Sequence, residues 1–143
     1  MVRASVHAAL AGVDVILHAG DVGGDEVLDE LGLIAPVFAV TGNCDDPNDA
    51  RMSASLARIM DGVRVHVSHG HELGVPTPAR LAAAYDADVV VYGHTHRPHI
   101  ARVDGRWIVN PGAAGPRRFD ILPSLARLTI VDGRAAIAII DLT

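Results

Sequence analysis

The sequence predicts a mixed α/β fold of two β-sheets packed face to face, with helices on the outside. Two observations carry this. The first half alternates helical periodicity with short apolar runs that end in glycine turns. That is the pattern of parallel strands covered on both faces. The second half holds three Asp-Gly dipeptides, at 61–62, 104–105 and 132–133, each flanked by apolar runs. Asp-Gly suits the two-residue type I′ turn, whose central residues both need φ > 0. With 143 residues the chain suits one domain, 1–143, around one core.

The elements follow in order. Apolar residues at 2, 6, 9, 10 and 13 have helical spacing, and Gly12 suits a C-terminal stop. Val13 to His18 reads as a strand ending in Ala19-Gly20-Asp21. Asp25 to Leu31 predicts a short acidic helix with Val27, Leu28 and Leu31 on one face. Pro36 to Val40 is a buried-type strand running into Thr41-Gly42-Asn43-Cys44-Asp45-Asp46-Pro47. The Asp-Gly turns predict hairpins pairing 56–60 with 63–68, 99–103 with 106–109, and 125–131 with 134–142. Between the first two, Thr77 as N-cap and Pro78 at the first helical position predict a helix to Tyr85. Val89 to Tyr92 is the next strand.

Composition excludes several function classes. No run approaches the ~18–20 apolar residues that span a bilayer, and no basic, then apolar, leader opens the chain. The single cysteine, Cys44, excludes an intramolecular disulfide and agrees with a reducing compartment. The expectation is a cytoplasmic protein with no membrane partner. A net charge of −5 disfavours long nucleic acid as a partner. All 12 basic residues are arginine, which rules out a lysine Schiff base and a P-loop lysine.

Histidine is the unusual residue: there are 8, six of them between His66 and His99. Four clusters recur at strand ends: Gly20-Asp21, Gly42-Asn43-Cys44-Asp45, Ser68-His69-Gly70-His71 and Gly93-His94-Thr95-His96. In open α/β sheets, ligands bind beyond the carboxyl ends of the strands. One Gly-Asp or Gly-Asn-x-Asp is ordinary turn chemistry. Four clusters of carboxylate, amide and imidazole at successive strand ends point instead to a shared metal. These ligands suit Mn, Fe, Ni, Co or Zn. His7, His18, His66 and His99 belong to no cluster and read as surface or satisfied structural histidines.

These motifs, in this order, resemble the calcineurin-like metallophosphoesterases. Gly-Asn-Cys-Asp, Gly-His-Thr-His-Arg-Pro and Asn110-Pro111-Gly112 resemble the small bacterial and archaeal phosphodiesterase subgroup. The resemblance implies a four-layer αββα sandwich of two mixed β-sheets flanked by helices. It implies two divalent transition-metal ions at the strand ends, and phosphodiester hydrolysis by a metal-activated hydroxide. Asp21 falls on the family's bridging aspartate, and Asn43, His69 and His94 complete one metal position. His96 belongs to the other. Asn43 and Asp45 are the implied catalytic residues, Asp45 orienting a neighbouring ligand. Arg97, Arg117 and Arg118 are candidates for contact with substrate phosphate.

The chain departs from the family in two places. The family opens on a strand ending in Asp-x-His, which binds the metal shared with His96; no Asp-x-His precedes Asp21 here. The expectation is a fold lacking that first strand and roughly 20 residues, with one metal in place of two and impaired activity. An open sheet edge would then invite a second copy of the chain. The other departure is Cys44, where many relatives carry an imidazole. A thiol with a pKa near ~8.5 stabilises leaving-group charge poorly and favours substrates with good leaving groups. The competing expectation is a non-catalytic or single-metal interaction module of the same fold.

Overall fold

The computed structural model describes residues 2–115 and 121–142. It contains helices α1 (Ala4–Ala9), α2 (Asp25–Gly32) and α3 (Pro78–Ala84). The strands are β1 (Ile16–His18), β2 (Val37–Val40), β3 (Met52–Ser53), β4 (Ser55–Met60) and β5 (Val63–Ser68). They continue with β6 (Val89–Val91), β7 (His99–Val103), β8 (Arg106–Asn110), β9 (Ser124–Val131) and β10 (Arg134–Asp141).

The three Asp-Gly turns form as expected. Asp61, Asp104 and Asp132 have φ of 48°, 52° and 51°, and the glycines after them 84°, 78° and 74°. Each turn places its strands in tight register: Met60 opposite Val63, Val103 opposite Arg106, Val131 opposite Arg134. Thr77 caps α3 by accepting from the Arg80 amide at 3.2 Å, with Pro78 in the first turn.

Side-chain alternation builds the layers. Val89 faces the inter-sheet core with Val63, Val65 and Val67 of β5. Val90 points the other way, packing with Ile108 against Leu81 of α3. On the far side, Leu17 and Val40 reach the inter-sheet core, while Ile16 packs with Val6 of α1 and Leu31 of α2. The order of layers is therefore α1 and α2, sheet, sheet, α3, the four-layer arrangement that the family resemblance implied.

The middle layers differ from the expectation in number of sheets. One layer is a five-stranded mixed sheet in the order β4-β5-β6-β8-β7. The other is divided into a parallel β1-β2-β3 sheet and the separate β9-β10 hairpin. Among the described residues, β1 pairs only with β2, and β10 only with β9. The two parts are joined by side chains. Leu128, Ile130, Ala135 and Ile137 of the hairpin enter the same core as Leu17 and Val40. Arg127 ties the hairpin to the end of α1 by donating to the carbonyls of Ala9 and Ala11.

Boundaries shift in two places. β1 begins at Ile16 instead of Val13, because the Val13 amide still bonds to the Leu10 carbonyl at 3.3 Å. β3 was not expected; two residues pair with β2 through Ala39 and Val40. A 3-10 turn, His71–Leu73, follows β5.

Candidate metal centre

The centre forms where β1, β2, β5 and β6 end on one side of the sandwich, as parallel neighbours must. Glycine sets its scale. A Cβ on Gly20 would lie 2.6 Å from His69 Nδ1 and 2.9 Å from the Gly42 amide nitrogen. A Cβ on Gly42 would collide with the amide nitrogen and carboxylate of Asp21. Three loops thus approach more closely than any side chain permits.

His69 is the anchor. It is 1% exposed, and its Nδ1 lies 2.7 Å from the Ala19 carbonyl oxygen. A carbonyl only accepts, so Nδ1 carries a hydrogen, and in a neutral ring the lone pair would then lie on Nε2. That nitrogen lies 3.0 Å from Asn43 Oδ1 and 3.3 Å from Asp21 Oδ2. Nε2 thus faces an amide oxygen and a carboxylate oxygen, a setting that suits a proton or a cation. The His94 ring stands edge-on to His69, their centroids 5.3 Å apart. The structure therefore gathers Asp21, Asn43, His69 and His94. His96 sits two residues further along the same turn.

Backbone conformation marks the same residues. Outside the three hairpin turns, the described non-glycine residues with positive φ are Asp21 (53°), His94 (68°) and His96 (61°). Left-handed backbone costs an L-residue about 1–2 kcal/mol and concentrates at functional sites. Asp45 clamps the loops together: Oδ1 accepts from the Val22 amide and Oδ2 from the Gly42 amide, both at 2.9 Å. Asp21 Oδ1 accepts from the Cys44 amide at 2.9 Å, and Cys44 itself is exposed. Both oxygens of Asp45 are thus engaged by backbone amides, which ties the 20–22 loop to the 42–45 loop. Arg97 follows His96 in the exposed part of the turn, while Arg117 and Arg118 lie outside the described residues.

The groups that meet at His69 Nε2 are a carboxylate oxygen and an amide oxygen. No three His, Cys, Asp or Glu side chains among the described residues gather as a metal group. Asn43 supplies the third donor facing Asp21 and His69.

Three further residues line the centre without having been assigned as ligands or catalytic groups. His18, expected to be structural, is indeed satisfied: its Nδ1 accepts from the Gly20 amide at 3.2 Å. Burial lowers its pKa, against the pull of Asp45 and Asp21, so it stays neutral beside the acidic groups. The His71 ring lies 5.2 Å from that of His69 and 6.3 Å from that of His94. Asn110 is fully buried. Its Nδ2 donates to the Gly93 carbonyl at 3.1 Å and to Thr95 Oγ1 at 2.9 Å. Its Oδ1 accepts from the Gly112 amide at 2.9 Å, so Asn110 shapes the turn that presents His94 and His96. A buried asparagine ending a strand beside Pro-Gly was the available signal.

Oxygen and imidazole groups thus meet at the ends of parallel strands in a four-layer sandwich, an arrangement in keeping with an α/β phosphoesterase scaffold. The chain belongs to the calcineurin-like phosphoesterase superfamily, whose domain matches residues 2–133. It is 34% identical over 128 residues to a probable metallophosphoesterase of Methanothermobacter thermautotrophicus, covering 87% of this chain and 69% of that protein. It is 30% identical over 113 residues to the phosphodiesterase MJ0936 of Methanocaldococcus jannaschii, covering 70% of this chain and 67% of that one. Its fold matches the Zn-complexed Vps29 of Entamoeba histolytica with a TM-score of 0.81 at 23% identity, covering 100% and 91% of the two chains. Among the described residues, no helix is long and apolar enough to cross a membrane.

Proposed function

We propose that this chain hydrolyses small phosphodiesters with a divalent transition metal held by Asp21, Asn43, His69 and His94. The convergence of His69 Nε2, Asn43 Oδ1 and Asp21 Oδ2 carries the reading. A metal bound there supplies Lewis-acid polarisation of phosphoryl oxygen and lowers the pKa of water. The chain's own residues do the rest. Ala19 fixes the tautomer of His69, which leaves Nε2 as a ligand. Asp45 holds the Asp21 and Asn43 loops in contact. His96 and a share of Asp21 would serve a second metal. Cys44 offers no imidazole to a leaving group, which favours activated diesters.

The test is hydrolysis of bis-p-nitrophenyl phosphate with Mn²⁺, with Mn²⁺ stoichiometry measured alongside. The expected result is Mn²⁺-dependent turnover that Asn43→Ala lowers by about 100-fold or more. Equal background rates in both proteins would sink the reading.

Among the described residues the outer edges of β1 and β10 have no strand beside them, and a second copy of the chain would add its strands there. Small-angle scattering is expected to show a dimer; a monodisperse monomer overturns this.

A further inference from the structure

Behind the 69–71 turn lies a second set of polar groups that the metal reading does not use. Glu72 Oε1 accepts from the Gly70 amide at 2.9 Å, and its Oε2 accepts from the Tyr85 hydroxyl at 2.6 Å. Tyr85 is the C-cap of α3 and stacks on His66 of β5, ring centroids 3.9 Å apart at 19°. His66 Nε2 is buried on the same face of β5 without a hydrogen-bond partner, which corrects the expectation of a surface or satisfied histidine, and the Ser68 hydroxyl is buried two residues further along. Burial alone would raise the pKa of Glu72, yet hydrogen bonds, from Tyr85 first, hold it below the ordinary carboxylate range.

The position of this carboxylate matters. Gly70 directly follows His69 and sits at φ 102°, where a side chain would be strained. The His69 carbonyl is already tied to the Gly93 amide at 2.9 Å. The Gly70 amide is the next free handle on the turn, and Glu72 takes it. Its other oxygen is anchored to α3 through Tyr85, so the turn is tied to a helix even though Glu72 itself is exposed. We propose that Glu72 and Tyr85 are positioning residues for the metal centre. They hold the His69–His71 turn so that His69 Nε2 faces Asn43 and Asp21. The inference rests on the phosphodiesterase reading only for what the turn is used to bind.

Two readouts test it on the whole chain. The first needs no metal: amide hydrogen exchange at Gly70. Glu72→Ala is expected to speed it by about tenfold or more while Val65 and Val67 keep their protection. Glu72→Gln keeps an acceptor for Gly70 and should return exchange to within about threefold of wild type. The second is Mn²⁺ calorimetry, where Glu72→Ala should weaken affinity by about tenfold or more and the glutamine variant restore most of it. Should the alanine variant fail to fold, Tyr85→Phe decides by the same readouts, since it keeps the stack on His66. Gly70 exchange within about twofold of wild type in the alanine variant, or a glutamine variant as impaired as alanine, overturns the proposal. A wild-type chain that binds no Mn²⁺ sinks the metal reading alone, and exchange then decides whether this pair holds the turn.

Discussion

Gly42→Ala is expected to destabilise the chain by about 3 kcal/mol and to abolish Mn²⁺ binding. The added methyl would occupy the space of the Asp21 amide and carboxylate. Relief requires the 20–21 loop to move away from the 42–45 loop. That movement breaks the Asp45 clamp on Val22 and Gly42 and the bond from the Cys44 amide to Asp21. Stability and metal binding therefore fall together. Gly32→Ala is the matched control. Gly32 ends α2 with nothing within 4 Å of an added Cβ, so its change should be neutral or stabilising by up to ~1 kcal/mol. Urea unfolding and calorimetry on both variants check this. A Gly42→Ala protein as stable as wild type, with unchanged Mn²⁺ affinity, would show that the loops are not packed as described.

Asn110→Ala should cost a similar amount, about 3 kcal/mol, by a different route. It removes three hydrogen bonds from a side chain with no exposure and leaves the Gly93 carbonyl, Thr95 hydroxyl and Gly112 amide without that partner. Asn110→Asp should be worse than its size suggests. It keeps an acceptor for Gly112 but turns a carboxylate oxygen on the Gly93 carbonyl. Urea unfolding measures the stability. Imidazole NMR measures the consequence at the site, where the His94 and His96 resonances should shift while that of His7 stays in place. Loss of stability with unmoved His94 and His96 signals would reduce Asn110 to a core residue.

Much of this protein is local chemistry and is legible without coordinates. The hairpins are set by Asp-Gly pairs, because two adjacent residues at positive φ are cheap for those residue types alone. Thr77-Pro78 sets the start of α3, since one side chain caps the helix and the next lacks the amide that needs capping. The ligand-bearing clusters stand out because glycine beside carboxylate or imidazole recurs at strand ends. Where a role depended on contact, the sequence was silent. Glu72 and His18 look like ordinary polar residues until the fold sets them beside the 69–71 and 20–21 turns, while Asn110 stood out only as part of Asn110-Pro111-Gly112 and owes its contacts with the 93–95 turn to the fold.

Tertiary structure decided the rest. That β3 exists depends on Ala39 and Val40 offering an edge, not on the propensity of Met52 and Ser53. The division of one layer into two sheets depends on which edges find hydrogen-bond partners, a long-range matter that side-chain periodicity does not encode. The meeting of Asp21, Asn43, His69 and His94 is the same kind of fact. Residue type makes each a competent donor, but only the fold sets His69 Nε2 3.0 Å from Asn43 Oδ1 and 3.3 Å from Asp21 Oδ2, with the His94 ring edge-on beside it, and only glycine at 20 and 42 lets the loops close there.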